Sequence, residues 1–325
     1  MTGCARIGIL NDMTDAPLPV SGPGDVTTWI EREIAALRRA GRFEAPVELV
    51  HAYGLGLPAG TAEAVERAFR QLADAGVCLI VGPAIGDNAL VATPLAEQMR
   101  IPTINWAGAE RARGQYMFHH QVGSHEDESL VMARHMAGLG CRRLGVVHDL
   151  SPIGTRHLKY LQDEAAVLDA GPDGFVYLGL GLSAPPVAQA VRDWHGPRIM
   201  NTAGLRGYHG DFARTCDRWL YIDMHSDANQ TLQALMRAMS APPEQALAVA
   251  KGHDIGRLVA EGLARAPDFS REGLREGLEQ VKWLSAAEGA EGTLLGFGIQ
   301  DRGALHGRYL VVRQWVDGRS VEVVD

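Results

Sequence analysis

Residues 77–109 read VCLIVGPAIGDNALVATPLAEQMRIPTINWAGA. The apolar run 77–81 has strand length and stops at Gly82-Pro83, a pair that breaks a strand. Asp87 opens a helix, expected over 88–98, and a second apolar run over 103–106 ends at Asn105-Trp106. Strand, helix and strand in this order form a βαβ unit, which belongs in a parallel sheet.

The same alternation continues on both sides. Further strands are expected over 6–10, 47–53 and 116–121, with helices over 26–40, 61–75 and 124–138. Ile30, Ile34 and Leu37 recur at helical spacing, and Asp25 and Ser124 are placed as N-caps. A second series follows: strands over 143–148, 175–180 and 198–202, helices over 154–168 and 186–194, and a strand over 219–224. The segments ELVHAYGLGLPAGTAEAVERA (48–68) and GFVYLGLGLSAPPVAQAVRD (174–193) share strand, GLGL, turn and helix. Such a repeat suggests two lobes of like topology, although Gly-rich strand ends look alike in any α/β protein. Three helical stretches and a closing hairpin complete the chain, with Asp317-Gly318 as the turn signal.

Composition narrows the function classes. A chain of 325 residues with 46% hydrophobic and 22% charged residues has room for two cores. A net charge of −8 disfavours nucleic acid and anionic membranes as partners. No apolar run approaches the roughly 18 residues of a membrane span. Cys4, Cys78, Cys141 and Cys216 show neither metal spacing nor a disulfide framework. Only five residues precede the first strand, so two expectations stand side by side. The protein is cytoplasmic if Met1 is its native start, and periplasmic or extracellular if an export signal has been removed. Met1-Thr2-Gly3-Cys4 resembles the end of a lipoprotein signal without its apolar region.

The strand–Gly-Pro–helix–IPTIN passage resembles the first lobe of type I periplasmic binding proteins, in particular the branched-chain amino-acid-binding family. The segment GAEGTLLGFGIQDRGALHGRYLVVRQWVDG (289–318) resembles the closing part of the same family. The resemblance implies an α/β fold of two Rossmann-like lobes joined by three crossovers near Gln121, His225 and Gly292. It divides the chain into lobe 1 (1–121 and 227–295) and a shortened lobe 2 (122–226 and 296–325), one β–α unit being missed between Thr202 and Trp219. It also implies binding by lobe closure without chemistry or cofactor.

Family members hold an amino-acid ligand with a serine, a threonine, a tyrosine and an acidic residue. Those positions fall here on Gly86, Ala109 and Ile153, and the acidic residue has no counterpart. A buried zwitterion needs charge-assisted partners. The expected ligand is therefore not a standard α-amino acid but an apolar or aromatic molecule with one carboxylate or amide.

Ligands of open α/β sheets sit at strand carboxyl ends. That rule selects Asn11, Asp12, Ala84, Ile85, Gly86, Asn88, Asn105, Trp106, Ala107, Ala109, Ile153, Thr202 and Gly204 as the candidate set. Trp106 is an aromatic wall or a tryptophan packed under a helix. Asn11, Asn88 and Asn105 are ligand amides or turn and cap residues. Arg111, Arg113 and Arg206 meet a carboxylate or remain surface charges.

Enzymatic readings fare worse. His119 and His120 adjoin on a strand and point to opposite faces, which argues against a shared metal, and His125 adds no spacing. The Gly54 and Gly179 stretches lack a full GxGxxG. Two-lobed racemases place a cysteine at the mouth of each lobe, but Cys78 sits early in its strand and Cys141 precedes one. Two functions remain: the substrate-binding component of an ABC importer, with a permease as partner, or a cytoplasmic sensor of the amide-binding regulator type, with a regulatory protein as partner.

Overall fold

The computed structural model describes residues 3–17, 22, 24–109, 112–121, 123–164, 172–208 and 210–323. In chain order the polypeptide first forms β1 (Ala5–Asn11), α1 (Val26–Arg39), β2 (Val47–Tyr53), α2 (Ala62–Asp74), β3 (Leu79–Val81), α3 (Gly86–Met99), β4 (Thr103–Asn105) and β5 (Met117–His119). There follow α4 (His125–Gly138), β6 (Leu144–His148), α5 (Pro152–Glu164), β7 (Gly174–Leu178), α6 (Ala184–Ala190), β8 (Arg198–Met200), a 3-10 turn (Thr202–Tyr208), α7 (Phe212–Thr215) and β9 (Leu220–Asp223). The last third contains α8 (Gln230–Met239), α9 (Ala246–Arg265), α10 (Arg271–Glu279), β10 (Leu284–Ser285), β11 (Leu294–Leu295), β12 (Leu305–His306), β13 (Val311–Val316) and β14 (Arg319–Glu322).

These elements form two compact units, Met1–Val122 with Ala228–Tyr309 and Gly123–Asp227 with Leu310–Asp325. The sequence reading gave 296–309 to the second lobe, whereas it packs in the first unit. Gln121 Oε1 accepts from the Ala304 and Leu305 amides at 2.9 and 3.0 Å, and Arg302 reaches Glu279 at 2.6 Å. These bonds carry the third crossing from Gly292 on to Tyr309.

The first unit holds a parallel sheet in the order β2-β1-β3-β4-β5. On it Leu10, Ala52, Val65, Phe69, Leu72 and Ile80 close one core with α2. Asp25 and Thr61 cap α1 and α2, accepting from Thr27 N and Ala64 N. Helix α1 lies against α9, where Trp29 is buried over two glycines one turn apart. A Cβ on Gly252 would lie 2.2 Å from the Trp29 ring, and one on Gly256 2.7 Å from the Trp29 carbonyl oxygen. The missing side chains let α9 approach closely enough to share the sheet end.

The second unit holds six strands in the order β14-β13-β9-β8-β7-β6. Strands β6 to β9 run parallel, and β13 returns antiparallel to β9. The β13–β14 hairpin turns at Asp317 and Gly318, both at positive φ (51° and 76°), as a two-residue I′ turn requires. Trp315 stacks on Tyr221 at 5.4 Å, and its Nε1 donates to the Gly204 carbonyl.

The internal repeat is not a structural one. Strand β2 flanks β1 on the side away from β3, whereas β7 lies between β6 and β8. Segments 48–68 and 174–193 thus occupy different places in their sheets. Among the described residues no strand lies outside β6, and the stretch between Thr202 and Trp219 holds a 3-10 turn and α7. No helix among the described residues is long and apolar enough to cross a membrane.

Candidate ligand-binding site

Sheet order in the first unit reverses at β1: β2 lies on one side and β3 on the other. Loops leaving β1 and β3 therefore diverge and open a crevice at the strand carboxyl ends. A cavity of about 480 Å³ lies there. Its wall comes from Ile9–Thr14, the start of α1 at Gly24–Thr27, His51 and Tyr53 of β2, Ala84, Trp106, and Ala248, Lys251, Gly252 and Ile255 of α9.

Asp12 shapes this crevice without facing a ligand. Its carboxylate accepts from the Ala84 and Ile85 amides at 2.9 and 3.0 Å and from Asn88 Nδ2 at 2.8 Å. Asn88, fully buried, returns to the backbone of Leu57, accepting from its N–H and donating to its carbonyl. One carboxylate and one amide thus tie together the loops after β1, β2 and β3. Asn105 does the same after β4, donating to the Ala112 and Phe118 carbonyls and accepting from Ala107 N. Both asparagines are braces. Asn11 lines the cavity, with its Nδ2 donating to the Ile9 and Ala52 carbonyls.

Asn11, Asp12, Ala84 and Trp106 of the expected set line one cavity. Ile85 and Gly86 open α3 beside it, and Ile85 N–H is taken by Asp12. Ala107 and Ala109 are buried in a small cluster with Ala89 and Ala112, so neither is a cavity residue. Ile153, Thr202 and Gly204 belong to the second unit. There the Ile153 carbonyl meets His157, and Thr202 donates through N–H to Glu128 at 2.9 Å. Gly204 exists for packing: a Cβ would lie 2.2 Å from that of Tyr221. Gly204→Ala should therefore lower the unfolding free energy by about 1–3 kcal/mol through overpacking. Denaturant melts of the variant test this, and unchanged stability would contradict it.

Arg113 and Arg206 do not line the cavity. Arg113 donates to His119 Nδ1 and pairs with Asp301, Arg206 is exposed, and Arg111 lies outside the described residues. His119 is wholly buried with Nε2 at the Ala107 carbonyl, and burial pushes its pKa down to about 3. It is a neutral structural imidazole. Burial pushes the Cys78 and Cys216 thiols up to about 11 and 12, and Cys141 also upward, so these thiols lack nucleophilic character.

Lys251 is a cavity residue that sequence reasoning missed. It stands on the cavity wall, and no hydrogen bond or ion pair engages its ammonium among the described residues. Burial lowers its pKa, opposed by the charge of Glu288. The other charged wall residues are committed: Asp12 as above, and Asp25 to Thr27 N and the Thr28 hydroxyl. Helical periodicity announces α9 but not which of its residues reaches a strand end contributed by the other end of the chain.

No family model and no curated protein sequence matches the chain. Solved structures do. An ABC transporter substrate-binding protein from Desulfitobacterium hafniense in complex with Leu is 15% identical, covering 99% of this chain and 100% of its own, with a TM-score of 0.75. A branched-chain amino acid transporter substrate-binding protein from Streptococcus pneumoniae, in complex with isoleucine, is 15% identical over 99% of both chains, with a TM-score of 0.74. A periplasmic binding protein type 1 from Bordetella pertussis Tohama I is 14% identical over 98% of this chain and 99% of its own, also at 0.74. The chain has the type I periplasmic-binding-protein fold. Gly86 has no side chain and the Ala109 methyl is buried, so neither position offers a hydroxyl.

Proposed function

We propose that the chain binds a small organic acid with an apolar or aromatic body in the first-unit cavity, as the substrate-binding component of an ABC importer. The cavity carries this reading. Its wall is largely apolar, Trp106 offers a ring, and Lys251 is a charged wall residue whose ammonium makes no hydrogen bond or ion pair among the described residues. Such a wall suits a ligand with one anionic end and no ammonium, since a second buried charge would go unpaired. The type I fold and the transporter relatives support the transport role.

A thermal-shift panel of aromatic and aliphatic carboxylates, their amides and α-amino acids tests the binding. At a hundred times its dissociation constant a true ligand adds about 2.7 kcal/mol of stability. No stabilisation by any acid would remove the reading. Trp106→Ala should then weaken the hit by about tenfold to a hundredfold, the worth of a buried ring. Equal affinity would make Trp106 a packing residue only. Cellular uptake of the labelled hit that depends on this chain supports transport; uptake independent of it would leave binding and remove the importer role.

A further inference from the structure

His120 follows β5 and is completely buried, as is Glu288 in the loop after β10. Both ring nitrogens of His120 and both carboxylate oxygens of Glu288 lack a hydrogen-bond partner among the described residues. His120 Nε2 lies 2.8 Å from Glu288 Oε2, within reach of an ion pair but not aligned as a hydrogen bond. A buried carboxylate with idle lone pairs is costly and calls for an explanation such as an ion.

A third group converges on the pair. Asp254 of α9, fully buried, accepts from the Ala287 amide at 2.8 and 3.0 Å and from the Glu288 amide at 2.9 Å. Those bonds pin the loop so that the Glu288 side chain faces His120. One donor atom from each of His120, Asp254 and Glu288 lies within 4.8 Å of the others. The set is one imidazole nitrogen and two carboxylate oxygens, a mixed ligand set that suits a borderline divalent ion. Lys251 faces Glu288 electrostatically from one turn earlier on α9, but its ammonium makes no hydrogen bond to it. Charge of one sign is thus partly balanced while the orphaned lone pairs stay unfilled.

We propose that His120, Asp254 and Glu288 form a buried binding site for a divalent transition metal of the zinc class. The ion would tie the end of β5 to α9 and to the loop at 286–289, a structural role inside the first unit. This inference does not depend on the cavity's ligand.

The test uses the untagged full chain. Native mass spectrometry and elemental analysis follow purification without chelator, and the chelator-stripped protein is then titrated with ZnCl2 and, separately, MnCl2. One equivalent of metal is expected, with a rise in Tm of several degrees on reloading. Glu288→Gln should bind zinc about a hundredfold more weakly by calorimetry. Should that variant fail to fold, Co2+ added to the stripped unaltered protein gives the second readout, a visible absorption band of one equivalent displaced by Zn2+. Metal-free protein that takes up neither ion in a saturable one-to-one step, or shows no cobalt band, overturns the proposal. So does a Glu288→Gln variant with unchanged zinc affinity.

Discussion

Lys251→Met should abolish tight binding of acidic ligands while the fold survives. The methionine keeps an unbranched stem and loses the ammonium. In a largely apolar cavity a charge pair is worth about 2–5 kcal/mol when one partner is truncated. That range corresponds to an affinity loss from about thirtyfold to several thousandfold. Calorimetry with a carboxylate and its neutral amide separates charge from shape: the native protein should prefer the acid, and the variant should not discriminate. Burial lowers the Lys251 pKa, so the ammonium is lost at lower pH than for a free lysine. Acid affinity should accordingly fall as pH rises through that depressed value. An unaltered acid preference in Lys251→Met would place the anion elsewhere.

Asp12→Ala is expected to be the most damaging change for stability in the first unit. Three donors converge on this carboxylate, two of them backbone amides at the turn into α3. Removing it leaves buried N–H groups with no acceptor and frees Asn88 from one of its anchors, at about 3–5 kcal/mol. For a protein of this size the Tm should drop by roughly 10 °C. Asp12→Asn should fail too, because its amide NH2 turns a donor towards donors. A loss under about 1 kcal/mol in denaturant melts would show that the loops hold without this brace.

Much of the architecture is legible from local pattern. Gly82-Pro83 stops a strand, Asp25 and Ser124 cap helices, and Asp317-Gly318 turns a hairpin, because each acts through its own backbone and nearest neighbours. The likeness of 48–68 to 174–193 misled for the same reason: local pattern specifies strand-turn-helix but not which side of the first strand the next one takes. At the site, Trp106 and the β1 loop were placed by the rule for strand ends. Asn88 and Asn105 were offered as ligand amides because a side chain's partner is not written in its own segment; Asn88 is used up on the Leu57 backbone and the Asp12 carboxylate, and Asn105 on backbone groups of other loops. Lys251 meets the cavity, and Asp254 and Glu288 meet His120, from the far end of the chain, and nothing near them in sequence announces it. His120 was set aside with His119 as an adjacent pair, and its neighbours in space are instead acids from α9 and the loop after β10.

Helix α1 packs on α9, and its Trp29 is buried with Leu232 of α8 and with Val249 and Ala250 of α9, all from the last third of the chain. A ribosome delivers Trp29 long before Gly252 and Gly256. At about 5–20 residues per second the wait lasts roughly 10 to 50 seconds. Through that interval the whole second unit's first segment is being synthesised, and the indole that will be sealed against the glycine pair has no native surface to close on. The sheet and its α2 and α3 cover come from residues before 122, but the α1 face closes only after the intervening segment and α9 have been made.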